Sequence, residues 1–200
     1  MSTATNKPLR LGVFGNEGSH SEAAGLSWAR AEGWRLGVDF ELRHLVDARG
    51  LLVALAARRV DRAVLPLHNS SAGLVLSCLE ALSGQEFHAT GQVNLPIRHC
   101  LCLRSKDVDP TEILAVVSHP QALAQCTQTL DELFPNAERV PWSDTASAAR
   151  DLGTGVLPRG STAILASRLA CERFDLWPLN EDAQDDDDNR TAFVILERRP

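Results

Sequence analysis

The 200-residue sequence has no apolar run near the roughly 18 residues that a membrane-spanning helix needs. Its opening, Met1 to Arg10, lacks the apolar core of a secretory leader, so a cytoplasmic protein is expected. Cysteine is sparse and odd in number: Cys78, Cys100, Cys102, Cys126 and Cys171, with no CxxC spacing. That pattern argues against a disulfide framework or a structural zinc site and for a reducing compartment. Cys100 and Cys102 would share one face of a strand, where small buried side chains are an adequate explanation. Basic residues are outnumbered, 20 Lys and Arg against 26 Asp and Glu, for a net charge of −6. A general nucleic-acid or anionic-membrane partner is therefore not expected. There is no repeat of fixed period. The one low-complexity stretch, Asp185 to Asp188, puts four carboxylates side by side, and their repulsion predicts a solvated loop.

What is present is an ordinary globular composition, 44% hydrophobic and 23% charged. Short apolar runs alternate with helix-like stretches. Strands are predicted at 9–14, 40–45, 62–67, 87–98, 100–103, 113–117, 139–141, 162–165 and 192–196. Helices are predicted from Ser21, from the Asp47 cap to about Ala57, over 74–82, over 121–134 behind Pro120, and from the Asp144 cap. Trp142, Trp177 and Phe193 read as core. Such alternation predicts an α/β fold with largely parallel sheets. The strands are too many for one small sheet, so two lobes are expected. Residues 1–98 and 180–200 form the first and 99–179 the second.

Three polar clusters stand at strand ends before helices: Gly15 to Ser21, His68 to Ser71, and Ser118 to Gln121. Backbone N–H groups at helix starts favour anions, and ligands of open α/β sheets collect at such ends. Any one cluster is explained by helix capping; three together point to a site for a small carboxylate. The Gly15-x-x-Gly18-Ser19 loop is not followed by the lysine of a phosphate-binding Walker motif.

These segments resemble the catalytic domain of prephenate dehydratases. Gly15 to Ser21 is similar to the family's Gly-x-x-Gly-Ser-aromatic-Ser. Pro66-Leu67-His68-Asn69-Ser70 with Gly73 and Val75 resembles Pro-Ile-Glu-Asn-Ser-x-x-Gly-x-Val. Leu95 to Leu101 is similar to Leu-Pro-Ile-x-His-x-Leu, and Val117 to Cys126 follows a signature segment throughout. Asn189-Arg190-Thr191-Ala192-Phe193 stands where the family has Asn-x-Thr-Arg-Phe. The resemblance implies a two-lobed fold like type II periplasmic binding proteins, with a central cleft. It implies a lyase that removes water and carbon dioxide from prephenate, a small anionic ring carboxylate, in phenylalanine biosynthesis. Neither cofactor nor metal is implied, and a homodimer is. By resemblance Thr191 assists departure of the hydroxyl, and Ser19, Asn69, Ser70, Ser118 and Gln121 orient the substrate. His99 and His119 have mainly structural parts, with His119 also a candidate at the site.

Four positions depart from the family pattern. The arginine after Thr191 is Ala192, the glutamate before Asn69 is His68, the aromatic after Ser19 is His20, and a glutamate is Gln92. An arginine holds a carboxylate by two charged hydrogen bonds, and one such buried bond contributes about 1.5–3 kcal/mol. Two replacements are conceivable from the sequence. Arg190 would share a strand face with Ala192, or else face solvent beside the aspartates. His68 and His20 bring imidazoles that can donate or accept a proton near neutrality. His68 is accordingly expected to join Thr191 in proton transfer, with His20 and Arg190 touching substrate. The chain ends at Pro200, where phenylalanine-making relatives continue into an ACT domain, so a stand-alone homologue of specialised metabolism is expected. The alternatives are a non-aromatising prephenate decarboxylase and a carboxylate-binding protein without catalysis.

Overall fold

The computed structural model describes residues 7–199. Residues 1–6, on which the leader reading partly rests, and Pro200 lie outside them. The chain divides into two compact units. Among the described residues the first comprises 7–16, 21–95 and 190–199, and the second 17–20 and 96–189.

In chain order the first unit contains β1 (Leu9–Phe14), α1 (His20–Ala31, entered from the second unit's His20), β2 (Phe40–Leu45), α2 (Ala48–Ala56), β3 (Arg62–Asn69), β4 (Gly73–Leu74), α3 (Leu76–Leu82) and β5 (Phe87–Pro96). The second contains β6 (Cys100–Leu103), β7 (Ala115–Ser118), α4 (Pro120–Ala124), α5 (Thr127–Leu133), β8 (Glu138–Pro141), α6 (Thr145–Thr154), β9 (Thr162–Ala166), α7 (Arg168–Arg173) and β10 (Trp177–Asn180). The last strand, β11 (Arg190–Arg198), returns to the first.

The first sheet runs β2-β1-β3-β11-β5, with β4 paired to β3. β1 is parallel to β2 and β3, whereas β11 is antiparallel to β3. Parallel strands covered on both faces bury both sets of side chains, which is why 9–14 and 62–67 read as continuous apolar runs. Leu11, Val13 and Val64 pack under α1 with Trp28, while Ala63 and Leu65 pack under α2 with Leu51 and Leu55. Asp47 caps α2 by accepting from Gly50 N at 2.6 Å.

The second sheet runs β10-β6-β9-β7-β8. β6 shows the two-faced burial plainly: Cys100 and Cys102 enter one core cluster, Leu101 and Leu103 the other. Residues 180–189, expected in the first lobe, belong instead to the second unit. β10 pairs with β6, and Ala183 N donates to His99 O at 2.9 Å. Trp177, expected in the core, is 48% exposed on this edge strand. The helix expected over 121–134 is broken between α4 and α5. There the Gln125 carbonyl accepts from Asp185 N at 2.7 Å, outside the helix, and the Thr127 hydroxyl donates to Ala124 O at 3.2 Å. No helix is long and apolar enough to cross a membrane among the described residues.

Candidate functional site

β3 ends where β11 begins, and their antiparallel register pairs Asn69 with Thr191 and His68 with Ala192. Asn69 and Thr191 are each 6% exposed and joined by a side-chain hydrogen bond. The Asn69 oxygen accepts from Ser71 N at 3.1 Å and Ala72 N at 2.8 Å, an Asx turn that fixes which end of the amide is which. Nδ2 is therefore the end facing β11. It donates to Thr191 Oγ1 at 2.9 Å and to Arg190 O at 3.2 Å. The Thr191 oxygen is an acceptor in this bond, so its own O–H proton is not consumed by Asn69. Ser70 closes the corner: its N–H donates to Arg190 O at 2.8 Å, and its hydroxyl accepts from Arg190 N at 2.9 Å.

His68 is exposed on the neighbouring position. Successive strand side chains leave opposite faces, so His68 and Ala192 share one face and Asn69 and Thr191 the other. The expected pairing of His68 with Thr191 is thus not brought together by this sheet. Arg190, two residues before Ala192, is exposed and makes no side-chain ion pair among the described residues.

The remaining expected residues lie in the second unit. Ser118 is fully buried, and its hydroxyl donates to Leu165 O at 2.6 Å, which spends its proton on joining β7 to β9. His119 caps α4, its Nδ1 accepting from Gln121 N at 3.2 Å, while the Gln121 side chain is exposed. Ser19 and His20 are half-buried in the loop before α1. That loop rests on α7. Gly18 has φ +84°, and a Cβ there would stand 2.7 Å from Ala170 Cα, so only glycine suits both the backbone and the contact. The Ser167 hydroxyl, which caps α7, donates to Gly18 O at 2.5 Å.

His20 meets His99 edge-on, with ring centroids 5.6 Å apart. His99 Nε2 lies 3.1 Å from the Gln125 side-chain oxygen and so carries the hydrogen, leaving Nδ1 as an acceptor. That Nδ1 and His20 Nε2 are sealed from solvent without a hydrogen-bond partner. Burial, reinforced by His99, lowers the His20 pKa to about 3, and burial also lowers that of His99 against its bond to Gln125. His20 is therefore neutral at ordinary pH and does not replace a lost positive charge. Unfolding frees it to protonate near its usual value, about 6.5. The stability gained by keeping it neutral is present above that value and lost as pH falls from there towards 3. His20→Phe should shrink the loss of unfolding free energy between about pH 7.5 and 4.5 by up to about 2 kcal/mol. Urea titrations at the two pH values check this, and equal losses in both proteins would refute it.

Among the described residues no group of His, Cys, Asp and Glu could hold a metal ion. The aspartate run is exposed and committed to local bonds: Asp185 accepts from Gln128 N, Asp186 from Asp188 N, and Asp187 pairs with Arg98. The Gln184 amide and the Arg98 guanidinium hold the Asp187 pKa below the usual carboxylate range. A polar groove of about 540 Å³ lined by Arg10, Arg58, Asp61 and Arg198 lies at the other end of the first sheet from Thr191. Sequence reading missed the His20–His99–Gln125 chain as a unit. Its only signal was a histidine at an aromatic motif position.

Comparison with known proteins identifies the family. A model of the prephenate dehydratase family matches residues 11–200. Arogenate dehydratase 1 of Petunia hybrida is 38% identical over 193 residues, which cover 96% of this chain and 43% of that protein. Chloroplastic arogenate dehydratase/prephenate dehydratase 6 of Arabidopsis thaliana is 41% identical over 140 residues, 70% of this chain and 33% of that protein. The chain thus spans under half the length of these relatives. The prephenate dehydratase of Arthrobacter aurescens, solved in complex with L-Phe, superposes with a TM-score of 0.83 at 28% identity, over 96% of this chain and 61% of that one. A quorum-quenching acylase, GqqA, superposes at 0.78 with 26% identity, over 96% of this chain and 64% of that one. With the family model spanning nearly the whole chain and the motif residues in place along it, the chain belongs to the prephenate dehydratase family.

Proposed function

We propose that the chain is a dehydratase acting on prephenate, arogenate or a closely related cyclohexadiene carboxylate. The carrying observation is the direction of the Asn69–Thr191 hydrogen bond. Elimination requires the ring hydroxyl to leave as water while the ring carboxylate leaves as carbon dioxide. The electron pair of the breaking carbon–carbon bond goes into the ring, and the carbon–oxygen bond breaks with uptake of one proton. A hydroxyl that accepts from Asn69 and keeps its own hydrogen is suited to donate to that departing oxygen. Aromaticity of the product supplies the driving force.

Substrate carboxylates need donors. Arg190, exposed at the start of β11 beside this corner, is the cation assigned to that contact, since Ala192 stands where the family has arginine. Ser70, fixed against the Arg190 backbone, keeps that strand start in register. His68, on the face opposite to Thr191, is given no part in proton transfer there.

The test is incubation of purified chain with prephenate and, separately, with arogenate. Phenylpyruvate, read by its absorbance in alkali, or phenylalanine, read by chromatography, is expected. Carbon dioxide release with neither product would favour the non-aromatising decarboxylase. Thermal stabilisation by either acid without turnover would favour a binding protein.

A further inference from the structure

All five cysteines are thiols in this structure, yet two of them are not ordinary core residues. Cys102 on β6 and Cys171 on α7 lie with their sulfurs 2.8 Å apart. That is nearer than the usual contact of two sulfur atoms and beyond the roughly 2.05 Å of a disulfide bond. Both sit in one core cluster of the second unit, Cys102 fully buried and Cys171 3% exposed. Cys100 shares the strand face and is also in hydrogen-bond contact with Cys171, while its thiol donates to Glu181 O at 3.4 Å. Cys102, whose thiol donates to Cys171, is therefore taken as the partner of Cys171. Cys126 packs on the opposite face of the sheet, and Cys78 lies in the first unit. Burial raises the thiol pKa of Cys78 and of Cys126. The contact with Cys100 lowers that of Cys171, but Cys102 together with burial raises it on balance, so none of the three is a nucleophile near neutrality while the unit is closed.

We propose that Cys102 and Cys171 form a redox-active dithiol that closes to an intramolecular disulfide when the protein meets an oxidised low-molecular-weight disulfide. One cysteine, as thiolate, attacks a sulfur of the oxidant and expels one molecule of small thiol. The second cysteine then displaces the other half. Two protein S–H groups and one small disulfide become one Sγ–Sγ bond and two small thiols. Because both sulfurs are buried, the reaction proceeds through local opening of α7, a helix of six residues at the surface of its unit.

The location gives the bond a consequence. α7 supports the Gly18 loop through the Ser167 hydroxyl and through Ala170, so a covalent tie at Cys171 fixes the platform under Ser19 and His20. The cross-link spans residues 69 apart in sequence and restricts the unfolded chain accordingly. This inference does not depend on the dehydratase reading.

The experiment incubates the chain with oxidised glutathione in urea below its unfolding midpoint. Alkylation with N-ethylmaleimide in full denaturant and intact mass measurement follow. Three alkylated cysteines are expected in place of five, and a Cys102–Cys171 cross-linked peptide. Dithiothreitol should restore five, and the melting temperature of the oxidised form should stand on the order of 5–10 °C higher. Cys171→Ser should take four labels with or without the oxidant and show no such rise. Five labels after oxidation, or a cross-link that runs through Cys100, would overturn the proposal.

Discussion

Thr191→Val should abolish most dehydratase turnover, lowering kcat by roughly 10²–10⁴ while leaving KM within a few-fold. Valine keeps the volume and branching of threonine, so the buried strand start is filled as before. What disappears is the acceptor for Asn69 Nδ2 and the proton beyond it. Asn69 keeps its bonds to Ser71, Ala72 and the Arg190 carbonyl, so the stability cost should be only about 1 kcal/mol. Thr191→Ser, which restores a hydroxyl without the methyl, should recover activity to within about tenfold. Steady-state kinetics with prephenate and arogenate, alongside urea unfolding, separate lost chemistry from lost fold. Turnover unchanged in the valine variant would remove Thr191 from the reaction.

How much of this could be read from the amino acids follows from which interactions are local. The buried strands were legible because both faces of β1, β3 and β6 are covered, which makes apolar runs. The Asp47 and Asp144 caps were legible because a cap is set within three residues. That His68 and Thr191 lie on opposite faces was not, because it depends on the register of strands about 120 residues apart, and a one-residue change in register exchanges the faces. β4 and β10 escaped because short edge strands carry no periodicity. The break between α4 and α5 depends on Asp185 reaching Gln125, again a distant partner. The same applies to the neutral state of His20, set by burial and His99, and to the approach of Cys171 to Cys102. Motif similarity named Asn69 and Thr191. The hydrogen bonds around the Asn69 amide say what the pair can do.

Asn69→Asp tests that direction most sharply. An aspartate keeps one oxygen for Ser71 N and Ala72 N, so the turn after β3 survives. Its second oxygen replaces Nδ2 and has no hydrogen to give when ionised. The 2.9 Å contact with Thr191 can then persist only if the threonine hydroxyl becomes the donor. That turns its proton away from the departing oxygen. Turnover near neutral pH should fall by about 10²–10³ although every atom is nearly in place. The second oxygen also faces the Arg190 carbonyl, 3.2 Å from Nδ2 in the native protein, so repulsion should cost a further ~1–2 kcal/mol of stability. The same repulsion favours a protonated carboxyl, which regains a donor towards Thr191. Activity of this variant should therefore rise as pH falls from about 8 to about 5, a limb that Asn69→Ala should lack because it has no group to protonate. The decisive measurements are pH profiles of kcat for the two variants. Native turnover in Asn69→Asp at the alkaline end would show that the orientation of the Thr191 hydroxyl does not govern the chemistry. A flat, uniformly depressed profile shared with Asn69→Ala would assign Asn69 to holding the turn alone.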